Sequence, residues 1–360
     1  IAYLFISFFG GSPLGLSYGF LLSATTMAPL IPSATARTGG IILPVLKSII
    51  QVINGEKNAG RFAEYLILVV MNSSVITSAM FITSNGGNPM CVKFAKNLGI
   101  SIDWVTWALA ASVPAIVSLI FLPMLLKLFI PCGQVDAQKI KDHAHEELAK
   151  LGPVSRKEKI TLAVFVLLLF FWSCGPWFGV HPTEAAILGV GLFLVANVIT
   201  WKDILSEELA WDTFFWMAIL IMMATELQTM GVIDHFTKQI AACIPCYSWQ
   251  IAFVIVSLIY FYTHYFFAST TAHMSSMFTA LVAVLMSLGA PPLMTALAFG
   301  FMTNLFGGLT QYSSGPAPIL FAQGHVEFRN WLRAGFITSI FYLVIWLGLG
   351  MVWWKFINLY

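Results

Sequence analysis

The sequence predicts an all-α polytopic membrane protein built from two repeats whose helices break part-way. Three observations predict it. Of 360 residues, 59% are hydrophobic and only 9% charged, with a mean hydropathy of +0.85, whereas a soluble domain carries roughly 25% charged residues. Apolar runs near the ~18 residues that mark a membrane span recur at 104–126, 160–178, 185–200, 212–225, 247–268, 274–302 and 332–354. Two short polar motifs also occur twice, in the same order.

The elements follow along the chain. Residues 1–12 read as a connecting segment. A hairpin is expected over 15–53, turning at "PSATARTGGIILP". A broken helix follows over 61–99, interrupted at "TSNGGNP", because Gly costs about 1 kcal/mol and Pro about 3 in a helix interior. Trp104 opens a helix over 104–130, which completes a first repeat over 1–130. Residues 131–159 form a charged linker. The second repeat, 160–360, contains a hairpin over 248–289, a broken helix over 291–323 and a helix over 331–356. Ser33 has 32 residues before it, whereas Ser269 has 109 before it counting from Ile160. The difference is room for roughly three spans of about 20 residues, so a longer parent chain is expected.

Lys and Arg mark cytoplasmic loops. With 127–159 placed inside, 45–61, 201–211 and 324–333 fall inside too, and only Lys93, Lys96, Lys238 and Lys355 fall outside. His143, His145, Glu146 and Glu147 in the linker lack further ligands at site-forming spacing and read as a solvated helix, not a metal site. Cys243-x-x-Cys246 reads as incidental for the same reason. A net charge of +2 gives no reason to expect nucleic acid.

The repeated motifs carry the functional reading. "SATAR" (33–37) and "STTAH" (269–273) both read Ser-x-Thr-Ala followed by a base. Arg37 is the only charged residue among the first 46, and 239–326 contains no Asp, Glu, Lys or Arg around His273. "TSNGGNP" (83–89) and "TQYSSGP" (310–316) both read Thr-x5-Pro, each 15 residues before a Trp. The threading makes the halves opposite in orientation, and inverted repeats with Gly/Pro-broken segments point to the binding site of a secondary transporter. Unpaired backbone at membrane depth is tolerated only against protein or a wet cavity.

The candidate substrate-binding residues are therefore Ser33, Thr35 and Arg37; Ser84, Asn85, Gly86, Gly87, Asn88 and Pro89; Ser269, Thr270, Thr271 and His273; and Ser313, Ser314, Gly315 and Pro316. A guanidinium costs roughly 2.5–3.5 kcal/mol at the bilayer centre on insertion scales, so Arg37 is expected to pair with a ligand carboxylate. His273 would serve a second carboxylate. The site as read is cationic, hydroxyl-rich and free of fixed carboxylates, which suits a small dianion or trianion. Glu64, Glu184 and Glu226 read as packing or helix-end capping groups. No His-Glu-x-x-His, Gly-x-Ser-x-Gly or paired intramembrane aspartate speaks for an enzyme.

At "PSATARTGGIILP", "TSNGGNP", "YFFASTTAH" and "QYSSGPAP" the chain resembles the divalent anion:sodium symporter family, over its whole length. The likeness is strongest to the branch of citrate/succinate, tartrate/succinate and 2-oxoglutarate/malate exchangers. The resemblance implies an inverted-repeat elevator-type transporter with two re-entrant hairpins, a dimerising scaffold and a Ser-Asn-Thr signature at each tip. Here the tips read Ser33-Ala34-Thr35 and Ser269-Thr270-Thr271, without either Asn. In sodium-coupled relatives those Asn help to hold Na⁺. An antiporter of di/tricarboxylates working without cofactor, metal or Na⁺ is thus the expectation, and Na⁺-coupled dicarboxylate symport the alternative. The resemblance further implies a homodimer in a bacterial inner membrane, with the plastid inner envelope as the other location.

Overall fold

Ser12 starts the first long helix: its hydroxyl accepts from the Gly15 amide at 3.0 Å, and Pro13 fills the first helical position. The computed structural model describes residues 1–360 except 57, 131, 134, 233–234 and 236–247, and except the side chains of 176, 209, 213, 224 and 228. Cys243, Cys246, Lys57 and Lys238 therefore lie outside the described residues. Among the described residues the regular structure is all helical.

Helix α1 (Ala2–Phe9) leads into α2 (Pro13–Met27). The chain turns at 28–35 and returns through a wide π-helical stretch, Ala36–Ile42, into α3 (Leu43–Val52). Helix α4 (Ala59–Met80) is buried on all sides over most of its length, and α5 (Gly87–Asn97) continues beyond an interruption. Helix α6 (Trp104–Phe129) is capped by Asp103, whose carboxylate accepts from the Thr106 amide at 2.7 Å. The linker contains α7 (Ala137–Lys150), which is docked rather than fully solvated: Ile140 and Ala144 are buried, and His143 Nε2 lies 2.6 Å from the Ser48 hydroxyl.

A pair, α8 (Arg156–Cys174) and α9 (Pro182–Val195), packs around Val164, Leu168 and Ala185. Glu184 caps α9, accepting from the His181 amide at 2.9 Å. The run 185–200 is shorter as a helix than as a string of apolar residues, since the chain leaves α9 and Asn197 adopts φ of 55°. Short α10 (Trp201–Leu205) precedes α11 (Glu208–Thr229).

The last part has a similar order of elements. A hairpin forms from α12 (Trp249–Tyr262), a 3-10 turn at Thr263–Phe266, and α13 (Thr270–Ser287). The run 274–302 divides at Gly289, with φ of 87°, and Pro291, after which α14 (Pro292–Leu305) begins. A second interruption separates it from α15 (Pro316–Phe321). Helix α16 (Phe328–Leu343) continues through a π stretch, Val344–Leu349, into α17 (Gly350–Phe356). Six stretches among the described residues are long and apolar enough to cross a membrane: Ala59–Met80, Trp104–Phe129, Ala210–Leu227, Trp249–Phe266, Thr270–Ser287 and Phe328–Phe356.

Central packing joins the two parts through α4, α6 and α14. A Cβ on Gly300 would stand 2.7 Å from the Trp107 ring, so only glycine lets α14 approach α6 there. Arg61, Phe129, Ile130, Asn330 and Arg333 line one small cleft, which brings three of the basic loops to the same end of the molecule.

Candidate functional site

Breaking a buried helix exposes carbonyls that must find donors. In the first interruption the Ser84 hydroxyl lies 2.7 Å from the carbonyls of both Ser78 and Phe81, and accepts from the Phe81 amide at 3.3 Å. Asn88 Nδ2 donates to the same two carbonyls at 2.8 Å, and Trp107 Nε1 donates to Ala79 O at 2.9 Å. In the second interruption the Ser313 hydroxyl lies 2.6 Å from Gly307 O and 2.8 Å from Thr310 O, and accepts from the Thr310 amide at 3.3 Å.

These matching bonds pair Ser84 with Ser313, and Gly86 with Gly315 as the residues preceding α5 and α15. The Thr-x5-Pro register is thereby corrected. In this register "SNGGNP" (84–89) aligns with "SSGPAP" (313–318), so Pro89 falls opposite Pro318, not Pro316. A serine that recaptures broken-helix carbonyls fixes the register, and spacing to the proline does not.

The hairpin turns are built alike. Ser33 Oγ accepts from the Ala36 amide at 3.1 Å, and Ser269 Oγ accepts from the Ala272 amide at 3.3 Å. Each is an N-cap that starts the return arm. The bases one turn on face inward. Arg37 is 0% exposed; its Nη1 donates to Ile31 O at 2.9 Å and Ser84 O at 3.0 Å, and its Nη2 donates to Ser78 Oγ at 2.8 Å. His273 is equally buried. Its Nδ1 lies 3.1 Å from Nδ1 of His264, whose Nε2 lies 2.8 Å from Ser313 O. Each half thus ties a hairpin to the carbonyl of its own break serine, by one guanidinium in the first and by two imidazoles in the second.

Both turns and both interruptions border one cavity of about 1060 Å³. Ser33, Thr35, Asn85, Gly86, Gly87 and Pro89 line it from the first part. Ser269, Thr270, Thr271, Ser314, Gly315 and Pro316 line it from the second. Arg37, Ser84, Asn88, His273 and Ser313 stand behind this wall and do not line it. Two features therefore differ from the sequence reading. Arg37 is withdrawn because carbonyls of the turn and the break claim it, and His273 because it pairs with His264; Glu207 and Asp212, ahead of and within α11, put carboxylates on the cavity wall.

Asn304 is a residue that the sequence reading missed. It lines the cavity and bridges the parts: Asn85 Nδ2 donates to its Oδ1 at 2.6 Å, and its Nδ2 donates to Asn88 Oδ1 at 2.8 Å. Its signal was an amide in an apolar helix just before Gly307-Gly308. Chemically, the pocket offers hydroxyls, carboxamides and the first turns of α5 and α13, whose dipoles favour anions. Thr35 also meets the second interruption directly, because a Cβ on Gly315 would collide with Thr35 Oγ1.

Residues 1–360 match the family described as sodium:sulfate symporter transmembrane region. The chain is similar to dicarboxylate transporter 1, chloroplastic, of Arabidopsis thaliana (43% identical over the whole chain and 66% of the relative). The protein of the same name from Spinacia oleracea is 41% identical over 64% of its own length. The putative malate transporter YflS of Bacillus subtilis (strain 168) is 40% identical over the whole chain and 76% of the relative. The chain thus spans slightly less than two thirds of the length of the two chloroplast relatives.

Proposed function

The chain belongs to the sodium:sulfate symporter transmembrane family, and from that premise we propose that it is the carrier core of a dicarboxylate exchanger. The observation that carries the reading is one cavity on which two capped hairpin turns and two helix interruptions converge. Relatives named as dicarboxylate and malate transporters supply the substrate class. The reading is a transporter, not an enzyme: hydroxyls, amides and helix ends bind an anion without altering it. The matched serine bonds support an origin of the halves as repeats, and the threading of basic loops supports their opposite orientation. We extend the proposal to elevator-type movement of the hairpin-bearing part against a dimeric scaffold.

Exchange is favoured over Na⁺-coupled symport by the two tips, which lack the Asn of sodium-coupled relatives. Symport is favoured instead by Glu207 and Asp212, oxygen ligands of the hard type that Na⁺ prefers. Proteoliposomes separate the two. With the full-length protein, labelled malate is expected to enter vesicles loaded with malate and not vesicles loaded with buffer, with or without Na⁺. Strong Na⁺-driven accumulation in buffer-loaded vesicles would reverse the choice.

A further inference from the structure

Behind the second hairpin turn lies a pair of histidines that the cavity does not use. His264 and His273 are both 0% exposed, and the contacts that tie the pair to each other and to the break have a fixed direction. The Ser313 carbonyl can only accept, so the 2.8 Å contact requires a proton on His264 Nε2. Neutral His264 then has a bare Nδ1, and the 3.1 Å contact requires that His273 Nδ1 carry a proton and donate to it. Neutral His273 is left with a bare Nε2. That nitrogen lies 3.2 Å from the Met277 sulfur and 3.2 Å from Thr263 Oγ1, whose one hydrogen also has Ile259 O at 2.8 Å and Tyr260 O at 3.2 Å as acceptors. In the neutral pair, Nε2 of His273 faces the Met277 sulfur and a hydroxyl whose hydrogen has a nearer acceptor in Ile259 O.

One added proton resolves this. It can bind at His273 Nε2 without breaking any other bond of the pair, and the new N–H then donates to Thr263 Oγ1. The surroundings suit the resulting cation. Ring centroids of Phe267, Phe306 and Tyr260 stand 4.4, 4.8 and 4.9 Å from that of His273, inside the ~6 Å range over which aromatic rings attract cations. The groups packed on the pair from other elements are Tyr260, whose hydroxyl is bonded to Thr303 at 2.8 Å, and the Ser313 carbonyl. The stretch 239–326 contains no Asp, Glu, Lys or Arg. A buried cation without a counter-charge is costly, and here the missing charge is available from one direction. His273 directly follows Thr270, Thr271 and Ala272, which line the cavity.

We propose that the His264–His273 pair is a proton-binding site that fills together with the substrate dianion. This rests on the dicarboxylate reading and deepens it. The proton comes from solvent and ends on His273 Nε2; the bound dianion supplies the opposing charge. Because linkage is reciprocal, lower pH tightens dianion binding, and dianion binding takes up a proton.

The test is titration calorimetry of the full-length protein with malate, near neutral pH where malate is a dianion, in two buffers of different ionisation enthalpy. Wild type is expected to bind with heats that differ between buffers, reporting uptake of up to one proton per malate. His264→Gln and His273→Gln are expected to bind malate without uptake. Wild-type binding with equal heats in both buffers overturns this inference alone, and needs no variant to fold. Uptake that persists in both histidine variants and vanishes in Glu207→Gln/Asp212→Asn places the proton on the cavity carboxylates and also overturns it. Absence of any malate binding overturns the dicarboxylate reading, and this inference with it.

Discussion

Arg37 shows how a single residue acquires a role from its acceptors. Its two terminal nitrogens hold Ile31 O, Ser84 O and Ser78 Oγ, so it fastens the first hairpin turn to the end of α4 and the break beyond it. Hydrogen bonds from a charged donor contribute about 1.5–3 kcal/mol each. Arg37→Gln is therefore expected to lower thermal stability of the ligand-free protein strongly, by several kcal/mol in total. Arg37→Lys is expected to recover a minor part, because an ammonium lacks the planar fork that reaches three acceptors. Melting curves recorded without substrate check this. Unchanged melting with a lost malate response would show instead that the guanidinium serves the ligand. An isolated basic residue in an apolar stretch was legible in the sequence as buried and consequential. Its partners were not, since carbonyls freed by a turn at 28–35 and a break at 81–86 carry no mark in residue type.

Elements meet at the cavity through close approaches that only small residues permit. Thr35, in the first turn, abuts Gly315, which precedes α15, and a Cβ on that glycine would collide with the threonine hydroxyl. Gly315→Ala is expected to push the turn from the second interruption, destabilising the protein by about 1–3 kcal/mol in the manner of an overpacked core. Thr35→Ala in the same chain removes the colliding oxygen. The double variant is expected to regain melting temperature but not transport, since Thr35 also lines the cavity. Restored transport in the double variant would remove Thr35 from the site. Hairpins and interruptions were readable from Gly, Pro and capping Ser, which act locally. The pairing of interruptions was misread by two residues because proline is tolerated at several positions of a first turn. Ser84 and Ser313, by contrast, each recapture the same set of carbonyls.

At the scale of the molecule, three separate parts of the chain enclose the cavity: 31–36 with 74–90, 268–272 with 304–316, and 207–220. Sequence reasoning singled out residues of the first two through their similar motifs. It missed the third because 207–220 has no counterpart motif, and an apolar helix gives no hint of which face meets a site. That third wall sets the electrostatics. Glu207 and Asp212 line the cavity, whereas the bases of the motifs lie behind the wall, so a bound dianion shares the cavity with carboxylates. Exposed charges act over about 8–10 Å at ordinary ionic strength, which covers much of a cavity of about 1060 Å³. If exchange without Na⁺ is the mechanism, these carboxylates oppose the substrate. Glu207→Gln/Asp212→Asn is then expected to lower the KM for malate several-fold at low salt, with the gain shrinking as salt screens the field. If the carboxylates hold Na⁺, the same double variant loses uptake at every salt concentration. Initial exchange rates across a salt series, with choline replacing Na⁺ in a parallel set, distinguish repulsion from cation binding by the sign of the change alone.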